Sequence, residues 1–164
     1  MQKLNAREIY VIILTAILAM LLMVFLYNEL FSESSPLITG EDGSFVNVRS
    51  EYLINIGNTF LQIVLAITAF VCLLRKKRPG WIAAISLIFF YAFLITFLVT
   101  RAALAGLVDQ IFWIGVLLAV MLLLAIIFLL FPSTLKKYNI TKTAFIPVLI
   151  ILGLLATIYF VIPQ

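Results

Sequence analysis

Five apolar runs separated by short polar breaks set the pattern of this chain. The first begins at Ile9 and is broken only by Thr15 before Leu26, then tails off through Tyr27, Asn28, Glu29, Leu30 and Phe31. A run of about 20 apolar residues crosses roughly 30 Å of hydrocarbon as a helix. The run exceeds the about 7–15 apolar residues of a signal peptide, so it reads as an uncleaved first span. The same reading places spans at about 9–31, 52–74, 81–100, 111–131 and 143–162. Ser50 is an expected N-cap of the second span, with Glu51 at its positive dipole end.

The breaks differ in character. Residues 32–50 form the longest hydrophilic stretch, rich in turn formers and acidic overall through Glu33, Glu41 and Asp42; it is too short for a core of its own. Residues 75–80 (Arg75, Lys76, Lys77, Arg78, Pro79, Gly80) make a tight basic turn, and residues 132–142 a second basic connector with Lys136, Lys137 and Lys142. With the N-terminus cytoplasmic, nine of the eleven Lys and Arg residues fall on the inner side, leaving Arg49 and Arg101 outside. Tyr10, Trp81 and Tyr138 then mark the inner interface, and Tyr27, Tyr52, Trp113 and Tyr159 the outer. The expected fold is an all-α integral membrane protein. It is a single domain over residues 1–164, a five-transmembrane-helix bundle with a cytoplasmic N-terminus and an extracytoplasmic C-terminus.

Composition strengthens this picture. The chain is 65% hydrophobic and 11% charged, against about 45–50% and about 25% for soluble domains. A net charge of +4 does not indicate nucleic acid, because the basic residues sit in clusters between apolar runs. Cys72 is the sole cysteine and histidine is absent, which removes disulfide frameworks and the commonest general base and metal ligand.

The most informative polar positions open the second span. Glu51, Asn55, Asn58 and Gln62 are spaced four, three and four apart, and at about 100° per residue they fall within roughly 60° of one another on a helix. Below them the face continues as Leu65, Ala66, Ala69 and Cys72. Small residues admit a second helix and amides hydrogen-bond across such a seam. The stripe is therefore either an interhelical clamp or the wall of a polar cavity. Thr96, Thr100, Arg101 and Asp109 are expected at the same outer level, with Arg101 pairing to Glu51 or Asp109. Tyr91, near the middle of its span, needs a hydroxyl partner on a neighbouring helix. Arg75, Lys76, Lys77 and Arg78 form a topology anchor that also suits anionic lipid headgroups.

Walker, GxGxxG, HExxH and Gly-x-Ser-x-Gly motifs are all missing, no acidic pair has metal or acid–base spacing, and no acidic residue sits mid-span. No catalytic residue, metal ligand or cofactor is assigned. The leading expectation is a non-catalytic integral membrane subunit or accessory protein of a larger complex, partnered by other membrane proteins or by its own copies. The alternatives are a small oligomeric transporter or channel using the Asn55, Asn58 and Gln62 stripe, and a lipid-binding or lipid-modifying protein. The compact loops and inside basic bias suggest a bacterial cytoplasmic membrane.

Overall fold

The computed structural model describes residues 5–31 and 50–161, with the side chains of 50–55 and 160–161 outside that description. The acidic stretch of the long connector, Arg49, and the side chains of Glu51, Tyr52 and Asn55 therefore lie outside the described residues. The described chain is helical throughout, in the order α1 (Ala6–Phe31), α2 (Ser50–Leu74), α3 (Arg78–Leu104), α4 (Gln110–Leu130), α5 (Pro132–Lys137), a 3₁₀ turn (Lys142–Ala144) and α6 (Phe145–Val161). Five of these segments are long and apolar enough to cross a membrane.

The expected spans and the helices agree to within a few residues, with two differences. The third helix runs on past residue 100 to Leu104, because nothing from Ala102 to Leu104 opposes a helix. The second basic connector, read from sequence without an element of its own, contains α5, started by Pro132 at its first position, where a missing N–H does no harm.

α3 is the hub. It packs against α2 and α4 on either side, and against α6 and α1. Its first half is buried almost continuously from Gly80 to Ile88, so it shows no polar face. Alanines make this crowding possible: Ala66 and Ala69 of α2, Ala83 and Ala84 of α3 and Ala125 of α4 are all at or near zero exposure, letting backbones approach. The α2–α3 turn is the closest approach. A Cβ built on Gly80 would lie 2.5 Å from the Cys72 carbonyl carbon and from the Leu73 nitrogen, so only glycine fits.

Three helix ends close alike. Lys77 N–H reaches Cys72 O (2.8 Å) and Lys76 N–H reaches Leu73 O (3.0 Å); Leu107 and Gly106 repeat this on Ala102 and Ala103, and Ile140 and Asn139 on Leu135 and Lys136. This is the Schellman pattern, and its pivot residue needs a left-handed backbone. Lys76, Gly106 and Asn139 have φ of 53°, 72° and 52°. Each closure satisfies carbonyls that a helix end otherwise leaves unpaired.

The end of the bundle carrying the two basic turns is pinned by side-chain-to-carbonyl hydrogen bonds. Trp81 Nε1 donates to Leu129 O (2.9 Å), Tyr138 OH to Leu73 O (3.2 Å), Tyr10 OH to Met121 O (2.9 Å) and Thr134 Oγ1 to Phe128 O (2.9 Å). Trp81 and Tyr138 are buried, and Trp81 meets Phe145 edge to face at 5.5 Å. These aromatics, expected as an interfacial belt, are rivets between helices. Tyr27 and Trp113 are exposed.

Burial pushes the Tyr138 hydroxyl up to about 12, with Glu8 adding to the shift. A folded-state value above the unfolded one means that stability is complete below about pH 10 and falls as pH rises to about 12. Tyr138→Phe removes the titrating group, so its unfolding midpoint in detergent should fall less than the wild type's over that range; equal losses would show that Tyr138 ionisation is not the cause. Lys76 acts in the opposite direction. Desolvation, then the Lys137 charge, holds it below the usual lysine value, so its contribution improves as pH rises.

Candidate functional site

A chamber of about 660 Å³ lies between the helices, within the about 300–1,000 Å³ typical of ligand sites. Four helices provide most of its wall and α6 adds Tyr159. The α1 wall is a ladder at three- and four-residue spacing: Leu14, Ile17, Leu18, Leu21, Leu22 and Phe25, ending in Glu29. At 1.5 Å per residue this ladder extends about 22 Å. The chamber is open along this flank, where Ile17, Leu21 and Phe25 remain exposed. α3 contributes Phe90, Tyr91, Leu94 and Ile95, and α4 contributes Leu118 and Leu122.

Polarity is confined to one end and one wall. α2 brings Asn58, Thr59 and Gln62 opposite Glu29, because α1 and α2 pack side by side with the end of one beside the start of the other. The Glu29 carboxylate takes a hydrogen bond from the Thr59 side chain. One turn along, Tyr91 OH donates to Gln62 Oε1, which supplies the hydroxyl partner that Tyr91 requires. Asn58 Oδ1 is buried and has no hydrogen-bond partner among the described residues. The stripe thus divides. Gln62 clamps α2 to α3, Asn58 faces the chamber with an acceptor to spare, and the small residues Ala66 and Ala69 continue as a buried seam.

The other sequence candidates lie elsewhere. Thr96, Thr100, Arg101 and Asp109 do not line the chamber. Thr96 and Thr100 are exposed, and Thr100 Oγ1 donates to the Thr96 carbonyl at 2.8 Å. Arg101 stacks over Phe97 at 5.6 Å, and Asp109 caps α4 by accepting from Phe112 N–H at 2.9 Å. Arg101 and Asp109 form no ion pair with one another among the described residues, since each has a local use within its own turn. Arg75, Lys77 and Arg78 are exposed at the α2–α3 turn, while Lys76 is half-buried beside Lys137 and Glu8.

Two chamber residues escaped the sequence pattern. Glu29 reads from sequence as the polar end of a span; in the fold it turns inward. Its register with Ile17, Leu21 and Phe25, at four-residue intervals, was the available signal. Thr59 adjoins the stripe and is masked by its small polar contribution. Among the described residues no group of three or more metal-ligating side chains occurs. The chain matches no protein-family model, no curated protein and no solved structure.

Proposed function

We propose that this chain is a non-catalytic integral membrane protein that holds a single amphiphilic, lipid-like molecule in the chamber between α1, α2, α3 and α4. The observation that carries this reading is the division of the chamber wall. One long side is built from leucine, isoleucine and phenylalanine, and one end carries Glu29, Asn58 and Thr59. An apolar cleft with a few convergent polar groups is the usual form of a small-molecule site, and an apolar flank suits entry from the lipid phase. In a membrane the basic connectors and the N-terminus would face the cytoplasm, a reading supported by the bias of nine of eleven basic residues. The polar end then lies toward the outer surface, and the compact connectors fit a bacterial cytoplasmic membrane.

Filling the chamber tests this directly. Leu18→Trp and Leu94→Trp each place an indole in the cleft. Wild-type protein released gently from its membrane should carry one lipid-sized adduct in native mass spectrometry, and both variants should lose it while keeping the wild-type helical spectrum. Wild-type protein that emerges bare, or variants that retain the adduct, would refute the chamber's role.

A further inference from the structure

We infer that the amphiphile held in the chamber bears a protonated amine, its ammonium seated between the Glu29 carboxylate and Asn58 Oδ1. This rests on the ligand-chamber reading above and adds the chemical class of the headgroup. Three observations converge on it.

The first is charge. Glu29 is an acidic residue in the lining, and no lysine or arginine is among the described residues that line the chamber. The described lining therefore has a formal charge of −1 when Glu29 is ionised, in surroundings where an opposite charge is worth far more than in water. A phosphate or carboxylate headgroup meets repulsion from Glu29, with no basic side chain among the described lining residues to offset it.

The second is hydrogen-bonding capacity. An ionised carboxylate is acceptor-only and offers about four lone-pair sites. The Thr59 hydrogen bond occupies one and orients the group. Asn58 Oδ1 adds a buried acceptor with no partner among the described residues, a condition that carries a free-energy penalty until a donor arrives. Gln62 Oε1 is already engaged by Tyr91, so the open amide acceptor of the stripe is Asn58 Oδ1, at the Glu29 end of the chamber. An ammonium supplies three donors to this cluster.

The third is aromatic. Phe90, Tyr91 and Tyr159 line the same chamber, with Phe90 edge to face against both Tyr91 (5.5 Å) and Tyr159 (6.0 Å). Ring faces attract cations and add nothing for anions.

The test uses full-length protein in phosphatidylcholine nanodiscs and three radiolabelled probes with one tail: dodecylammonium, dodecanol and dodecyl phosphate. Empty discs and Leu18→Trp discs are subtracted for partitioning into lipid. Dodecylammonium should saturate at one per chain and bind at least tenfold tighter than dodecyl phosphate, with dodecanol between them. Glu29→Gln should lower dodecylammonium affinity at least tenfold while leaving dodecanol within twofold, and Asn58→Leu should weaken dodecylammonium several-fold. Asn58→Leu stands as the deciding variant if Glu29→Gln does not fold. Equal binding of all three probes to wild type, or a preference for dodecylammonium that survives both substitutions, overturns the amine assignment and leaves the chamber reading standing. Absence of saturable binding by any probe above the Leu18→Trp discs overturns both.

Discussion

Gly80→Ala should destabilise the bundle by about 3 kcal/mol, the upper part of the range for overpacking a filled site. The contacts that the new methyl would meet are backbone atoms of α2, the Cys72 carbonyl carbon and Leu73 nitrogen, each 2.5 Å away. No rotamer change can relieve such a clash, so α3 must shift away from α2. That shift disturbs the Trp81 hydrogen bond to Leu129 and the burial of Ala83 and Ala84, because α3 is the common neighbour of the other spans. The measurement is SDS or thermal unfolding in mild detergent followed by circular dichroism. Gly57→Ala is the matched control. It has nothing within 4 Å of its added Cβ and no left-handed backbone angle, so it should be neutral or gain up to about 1 kcal/mol from helix propensity. If Gly80→Ala unfolds together with Gly57→Ala, the close approach carries no energetic weight.

The second large effect is expected at Glu8. This residue does two jobs with one oxygen. Glu8 Oε2 accepts the Asn5 backbone N–H at 2.9 Å, half of a capping box at the start of α1, and also accepts Lys137 Nζ at 2.6 Å. The carboxylate is 6% exposed and the lysine side chain 19%. Removing one partner of a buried pair leaves an uncompensated charge and costs about 3–5 kcal/mol; partial exposure of the lysine lowers this to about 2 kcal/mol here. Glu8→Gln and Lys137→Met should each lose about that much, and the double variant should recover at least half of the summed loss, since no lone charge is left behind. A double variant whose loss equals the sum of the two single ones would show that the pair is not coupled. The double variant also probes how α5 is held, because Lys137 is its last residue and Glu8 lies in the first turn of α1.

The helices were legible because hydrocarbon imposes a length and forbids unsatisfied backbone. The end of α2 at Leu74 follows directly from where the apolar run meets Arg75. Side-chain roles were less legible, for a physical reason. Within a membrane protein an aromatic or polar residue near a span end suits the interface and a neighbouring helix equally well, and only packing decides between them. Trp81 and Tyr138 went inward because α3 and α5 bring carbonyls of α4 and α2 within reach. Asp109 went to its own helix end because the Phe112 N–H is three residues away, whereas an ion pair with Arg101 has to compete with the ring of Phe97. Gln62 and Asn58 were identifiable as inward-facing from spacing alone; which of them is engaged and which retains an open acceptor depended on Tyr91, distant in sequence. Glu29 shows the same limit. Its helical register aligned it with an apolar ladder, but the chamber that gives the alignment meaning is made by other helices.

The rivets at the basic end have a mechanical consequence. Helices fixed to one another at one extremity move like tines on a common base, with amplitude growing toward the far tips. Trp81, Tyr138, Tyr10, Thr134 and the Glu8–Lys137 pair gather four helices and the short α5 at that base. Toward the other extremity Glu29 to Thr59 and Tyr91 to Gln62 are cross-helix polar ties, and both border the chamber. Separating α2 from α1 or from α3 at that level has to break one of these two ties, while the contacts of the base stay in place. For the amphiphile proposed above, this arrangement keeps the fixed base of the bundle apart from the polar end of the chamber, as the tines of a fork are apart from its stem.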